Sequence, residues 1–383
     1  MKATLLPTTL LYLTIFAAVS PDGDLRAAPP TRQFTSNIAL GKLALKSASV
    51  RIGDLNGDHH LDIVVANGRH WPAHNAWFPN DGKGQFPNRI PLGKTPDRSY
   101  AVPLADLDRD GDLDLVVGND RQPSLIWLND SRGNFPASTS LAQQPQPTRN
   151  VTLADLNGDQ HIDILVANRS RQNFFYLNNG KGSFPKSGTF GTGSDSTIAV
   201  ATGDMNGDGH VDLVVANRDQ QPNVVYFNDG QARFARGTSF GSGKDNTRSV
   251  ALVDVNGDKH LDIIAANIGQ PNTIYFNDGR GTFPRSTNFG KADGKTFCIT
   301  TADLDRDGTA DIVVGNVQQP NAVYLNTSRG KQFEAIPFGT NGHATYGIDV
   351  GDLDGDQFPE IVTANSDGLN FIYWNRPAPE KQR

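Results

Sequence analysis

One cysteine, Cys298, stands in 383 residues, so no disulfide can form within the chain. An exported protein without disulfides needs other fastening, and bound metal ions are one route. Hydrophobic residues make up only 37% of the chain. Nothing beyond the extreme N-terminus approaches the ~18 consecutive apolar residues of a membrane helix, so no membrane span is expected. Basic clusters and stacking motifs are missing, which argues against nucleic acid as a partner. There is no Gly-x-Ser-x-Gly nucleophile elbow, and no nucleophile–base pair stands out. No amphipathic helical pattern flanks the acidic loops described below, which excludes an EF-hand array. The Gly-Gly-x-Gly-x-Asp nonapeptide of parallel β-helices is absent too. Turn formers are plentiful by contrast: 39 Gly and 23 Pro suit short strands joined by tight turns.

What is present is a repeat. The stretch Asp204 to Asn217, DMNGDGHVDLVVAN, recurs from Asp54, Asp106, Asp155, Asp254, Asp303 and Asp352. The first aspartates lie 52, 49, 49, 50, 49 and 49 residues apart. So steady a period marks a repeat architecture. We number the copies as repeats 1 to 7 and count loop positions from the first aspartate.

Before each loop apolar residues alternate: Val50 and Ile52, Val200 and Thr202, Ile348 and Val350. Small residues such as Ser49, Ala199, Cys298 and Gly347 stand between them, as crowded strands require. Cys298 reads as one of these packing residues rather than a reactive thiol. After the loop comes an apolar strand, Leu213-Val214-Val215 in repeat 4, then a Gln-Pro-Asn turn and an aromatic strand, Val224-Val225-Tyr226-Phe227. Asn228-Asp229-Gly230 signals a hairpin. A fourth strand is expected from Phe184, Phe234 or Phe283 to a closing Phe-Gly.

Four short antiparallel strands per repeat predict an all-β chain, a seven-bladed β-propeller over residues 33–375. Repeat 7 stops after its third strand, and Gln33 to Ile38 resembles the fourth strand at Thr282 to Thr287. The N-terminal strand is therefore expected to complete the last blade and latch the ring. Residues 376–383 read as a flexible tail. Lys2, the apolar run Leu5 to Val19 and small residues at Ala17, Ala18 and Ser20 suggest a signal peptide over 1–28. Export to a periplasmic, cell-surface or extracellular location follows as an expectation, for a monomer.

Oxygen donors stand at loop positions one, three, five and nine. They are Asp54, Asn56, Asp58 and Asp62; Asp106, Asp108, Asp110 and Asp114; Asp155, Asn157, Asp159 and Asp163; Asp204, Asn206, Asp208 and Asp212. Repeats 5 to 7 supply Asp254, Asn256, Asp258 and Asp262; Asp303, Asp305, Asp307 and Asp311; Asp352, Asp354, Asp356 and Glu360. Alternating carboxylates in a tight loop suit Ca²⁺, which takes six to eight oxygens, and up to seven ions are expected, one per blade. Zinc is disfavoured because no Cys joins the His residues. These positions hold 24 of the 41 acids, leaving 17 against 35 Lys and Arg; seven Ca²⁺ would move the formal charge from −6 to +8. Five of the eight His fall in the loops and read as solvated turn residues.

Phe-Gly, the Asp-x-Asn-Gly-Asp-x-x-x-Asp loop and the Val-rich strand together resemble the FG-GAP repeat, also called the VCBS or FG-GAP-like repeat. Ala-Asn or Gly-Asn in place of Gly-Ala-Pro makes the chain more similar to the bacterial group than to integrin alpha subunits. The resemblance implies a seven-bladed propeller with calcium between first and second strands. That family includes adhesion receptors, sugar-binding lectins and a few enzymes, so the fold alone does not set the function.

A ligand is expected on the face opposite the acidic loops, where the copies differ. Hydroxyls recur there at Ser47, Ser99, Thr148, Thr197, Thr247, Thr296 and Thr345, and read as strand-starting residues bonded to a neighbouring backbone. Next to them stand variable large residues, Tyr100, Arg149, Arg248 and Tyr346, with Phe297 read as blade packing. Repeat 1 adds Arg69, His70, Trp71 and His74, groups able to stack on or bond a ligand. The leading expectation is a binding module for a glycan or a protein; the alternative is a carbohydrate-active lyase or hydrolase on the same propeller.

Overall fold

The structure is a computed structural model that describes residues 32–379 apart from 143 and 341. The signal-peptide segment and the end of the tail lie outside the described residues. Among those described there is no helix. Repeat 4 shows the plan: Thr197–Gly203, Asp212–Asn217, Asn223–Phe227 and Arg236–Phe240 form one antiparallel sheet in chain order. Repeats 5 and 6 form the same sheet. The second strand is buried along its whole length in repeats 1, 3, 4, 5 and 6. That explains its unbroken apolar run, since both faces meet a neighbouring sheet. Fourth strands begin later than their leading Phe suggests, at Lys186, Arg236 and Arg285, because the hairpin loop takes the Phe itself.

Two sheets are larger. Repeats 2 and 3 join where Gln146 and Pro147 pair with Gln122 and Asp120. Repeats 7 and 1 join through the long strand Arg32–Gly53. Its first half pairs with the last ladder, Phe34 opposite Asn375 and Ile38 opposite Ile372, while its second half pairs with Asp62–Asn67. This is the expected latch. Pairing continues to Arg376 and Pro377, two residues past the expected end.

The first strands of successive repeats touch one another, and that of repeat 7 touches that of repeat 1, so the repeats close into a ring. The core is divided accordingly. Each hydrophobic cluster straddles one junction: Val214, Ala216 and Val225 of repeat 4, for example, pack on Val250, Ile263 and Ala265 of repeat 5. Burying each such side chain contributes about 1.5–3 kcal/mol. At the centre the strands crowd: a Cβ on Gly347 would lie 2.7 Å from the Ser49 Cα.

Polar staples repeat around the ring. Thr197 Oγ1 donates to Asn217 Oδ1 (2.9 Å) and accepts from Asn173 Nδ2 of the preceding repeat (2.9 Å). Asn370 to Ser47 (3.1 Å) closes the same chain across the latch. Ser124 takes the Asn position in repeat 2 and bonds Asn119 within its own repeat. The recurrent hydroxyls are thus structural, but they bond Asn side chains rather than the neighbouring backbone expected.

Candidate functional site

The acidic loops line one face, and their hydrogen bonds show what each position does. Asp204 Oδ1 accepts from the N–H of Asn206 (3.2 Å) and Gly207 (2.7 Å), and its Oδ2 from Gly209 (2.8 Å). Asp208 accepts from His210 N–H at 2.9 Å. The position-nine carboxylate is fully buried and clasps two segments: Asp212 Oδ2 takes Met205 N–H (2.9 Å) and Oδ1 takes Asn228 N–H (2.8 Å). Asn228 Nδ2 then donates to the Leu156 carbonyl of the preceding repeat (2.7 Å). The same step recurs at every junction, from Asn80 to Leu353 across the closure through Asn375 to Leu304. Burial pushes these acids up, Asp62, Asp163, Asp212 and Asp262 to about 6, and Asp114, Asp311 and Glu360 to about 7.

Position three divides the loops into classes. Where it is Asn, the amide donates to position five, Asn206 Nδ2 to Asp208 Oδ2 at 2.9 Å, and the loop is internally satisfied. Where it is Asp, carboxylate oxygens converge within 4.8 Å: Asp106, Asp108 and Asp114 in repeat 2, Asp303, Asp305 and Asp311 in repeat 6. Asp108 Oδ1 is buried without a hydrogen-bond partner. An all-oxygen donor set with an uncompensated buried oxygen fits a hard cation such as Ca²⁺. Repeat 7 gathers Asp352, Asp354 and Asp356, but Arg376 bonds Asp354, Asp356 (2.9 Å) and Glu360 (3.2 Å). Glu360 nonetheless keeps the clasp, accepting Leu353 N–H at 3.0 Å.

The position-seven histidines are turn residues as expected, His60, His210 and His260 exposed and His161 half-buried, but their rings also meet a neighbouring hairpin. A Cβ on Gly82, Gly180, Gly230 or Gly279 would fall 2.4–2.6 Å from the ring of His60, His161, His210 or His260. These rings lie on the hairpin glycines, whose φ of +75 to +79° also favours Gly. His59, at position six, is 96% exposed in its side chain.

On the opposite face a cavity of ≈ 190 Å³ occupies the ring centre, lined by residues from all the first strands. It brings together Arg69, His70, Tyr100, Arg149, Arg248 and Tyr346. Trp71 and His74 fall outside it: Trp71 is 55% exposed beside Lys46 (4.3 Å to the ring), and the His74 carbonyl accepts from Asn67 and Arg89. Phe297, read as packing, lines the cavity with its ring 4.5 Å from that of Tyr346.

Arg51, Arg169 and Arg218 were missed by sequence reasoning and also line it. Their signal was positional: Arg169 and Arg218 directly follow the Ala-Asn that ends each second strand. Asp219 pairs with both (3.1 and 2.8 Å), and Asp120 pairs with Arg149 at 2.7 Å. Burial would raise Asp120, but the Arg149 bond and charge, helped by His70, hold it below the usual range. His70 Nδ1 lies 3.0 Å from Asp120 Oδ2, and the Tyr100 hydroxyl lies 2.8 Å from His70 Nε2. Burial raises the Tyr100 phenol.

A family model described as the FG-GAP-like repeat matches residues 54–117, 106–166, 155–215, 204–265, 254–314 and 303–363. No curated protein sequence matches the chain. Among solved structures it is similar to BBS1N in complex with ARL6DN, at 12% identity over 91% of this chain and 98% of that one, with a TM-score of 0.63. It is also similar to an Agrocybe aegerita lectin that recognises non-reducing terminal N-acetylglucosamine, at 21% identity over 76% and 80%, with a TM-score of 0.57. At these identities the likeness is one of fold.

Proposed function

The chain belongs to the FG-GAP-like repeat family, and from that premise we propose that it is an exported, calcium-fastened seven-bladed propeller that binds a glycan or protein ligand at the mouth of its central channel. The observation that carries this reading is the contrast between the two faces. The loop face repeats one clasp around the ring, the buried position-nine carboxylate with the hairpin Asn, whereas the channel mouth gathers the residues that differ between copies. A feature built alike in every repeat serves the frame; recognition needs a singular surface. Similar propellers that engage a sugar and a protein partner support either class of ligand.

Calcium would be held by the side chains at positions one, three and five, with position nine shared between ion and clasp. It would supply positive charge where the carboxylates converge, most of all in repeats 2 and 6. Export rests on the pattern of residues 1–28.

The hydrogen-bonded series Asp120–His70–Tyr100 supports a second reading, a carbohydrate-active lyase or hydrolase, because it sets a carboxylate, an imidazole and a phenol in contact beside arginines. A glycan array run in Ca²⁺ with wild type and Tyr100→Ala separates the readings. Retention without turnover, lost in the variant, supports the binding module; turnover of a retained sugar favours the enzyme. Retention that Tyr100→Ala leaves untouched places the ligand elsewhere and overturns the channel-mouth reading.

A further inference from the structure

The arginines of the central cavity outnumber their counterions. Six line it: Arg51, Arg69, Arg149, Arg169, Arg218 and Arg248. Three carboxylates answer them among the described residues. Asp219 is shared by Arg169 and Arg218, Asp120 binds Arg149, and Asp349 lies in the field of Arg51. Three positive charges are left unmatched. Arg69 reaches the Ser366 hydroxyl (2.9 Å) and the Tyr100 phenol but no carboxylate, and Arg248 makes no hydrogen bond or ion pair among the described residues. The Nε atoms of Arg69 and Arg248 are both buried without a partner. A buried donor left unpaired is destabilising, and an arriving acceptor relieves that cost.

The surroundings of Arg248 agree. Burial, then repulsion from Arg218, lower it to about 10 against the opposing pull of Asp219, so it stays cationic near neutral pH. Aromatic faces stand beside the guanidinium forks: Arg69 lies 3.6 Å over Tyr346 and Arg248 5.1 Å over Phe297. A second hollow of ≈ 650 Å³ continues outward from Arg149 and Arg169, past Pro147, to Arg121 and Arg171, with no acidic residue in its lining.

We propose that this cavity and its outward hollow bind an acidic polysaccharide, one oxyanion-bearing sugar unit seated on Arg69, Arg248 and the Phe297–Tyr346 pair while the chain passes Arg121 and Arg171. The inference rests on the channel mouth being the ligand site and adds the chemistry of the ligand. Guanidinium forks match carboxylate and sulfate oxygens in a bidentate manner. Ring faces beside those forks suit the C–H side of a sugar, which an acidic peptide does not require. At ≈ 190 Å³ the inner cavity is smaller than a drug-sized pocket of roughly 300–1,000 Å³, so it admits an end group rather than a whole oligomer.

Titration calorimetry of the full chain in Ca²⁺ tests this with polygalacturonate, dextran sulfate, neutral dextran and poly-glutamate at low and high salt. One or both acidic glycans should bind, the stronger identifying carboxylate or sulfate, and added salt should weaken binding. Arg248→Gln should weaken it at least tenfold, with Arg248→Lys intermediate. Arg171→Gln changes an exposed residue and should still weaken it about threefold if Arg248 variants fail to fold. Neutral dextran binding as tightly as the acidic polymers would overturn the anionic chemistry while leaving the channel mouth as the site. Poly-glutamate binding equally well would replace the glycan by an acidic peptide. Acidic-glycan binding that no arginine variant alters, or no polymer binding at all, would overturn the proposal; the array then decides the broader reading alone.

Discussion

A single residue type does most of the fastening, the aspartate at loop position nine. From sequence it looked like a fourth metal ligand; in the fold each carboxylate is buried and holds the N–H of position two and of the hairpin Asn. Asp212→Ala would leave both donors buried and unpaired, at roughly 1–3 kcal/mol each. We expect urea unfolding to show a loss of about 3–5 kcal/mol, and about half that for Asp212→Asn, which keeps one acceptor. Equal, small losses for both would refute the clasp. Cys298 was legible as packing because its position holds small residues elsewhere. It faces Gly315 across the ladder, where a Cβ would lie 2.4 Å from its Sγ, and burial pushes its thiol up to about 12. Alkylation at pH 8 should therefore be slow in the native protein and fast in urea; rapid native labelling would contradict the burial.

The loops as elements were legible in the sequence down to their bounds, yet their differences were not. One letter at position three, Asn or Asp, decides whether a loop satisfies its own carboxylates. Chelation should accordingly lower the melting temperature and added Ca²⁺ restore it, by about 2.7 kcal/mol per site at a hundredfold excess over Kd. Asp108→Asn and Asp305→Asn should blunt that response more than substitutions in repeats 1, 3, 4 and 5; a chelator without effect would remove the metal. Repeat 7 differs again. Glu360 stands there in place of the Asp of the other six loops, but the larger departure is Arg376, a guanidinium from the last ladder set among the loop's acids. Arg376→Gln should make stability more dependent on Ca²⁺, read as a larger thermal shift per added ion. An unchanged shift would show that the guanidinium does not stand in for a cation.

At the scale of the whole molecule the latch carries the prediction. Phe34 and Leu40 are buried in the junctions on either side of the last sheet, and Arg32 bonds the Asn375 side chain at 2.7 Å. Deleting residues 33–40 removes two large core side chains and exposes a sheet edge, which should cost at least about 4 kcal/mol. A urea midpoint equal to the full chain's would sink the latch. The sequence by itself determined the repeat, its four strands and the closing segment, because these depend on local spacing and alternation that recur every turn of the ring. Only the tertiary structure decided which residues meet at the axis. Arg51, Arg69, Arg169, Arg218 and Arg248 lie far apart along the chain, and no local pattern sums their charge. The ring brings them within one cavity because the first strands, which carry Arg51 and Arg248, and the turns after the second strands, which carry Arg69, Arg169 and Arg218, converge at its centre. The acidic loops that first drew attention thus prove to be the frame, and the surplus of positive charge on the other face is what closure alone creates.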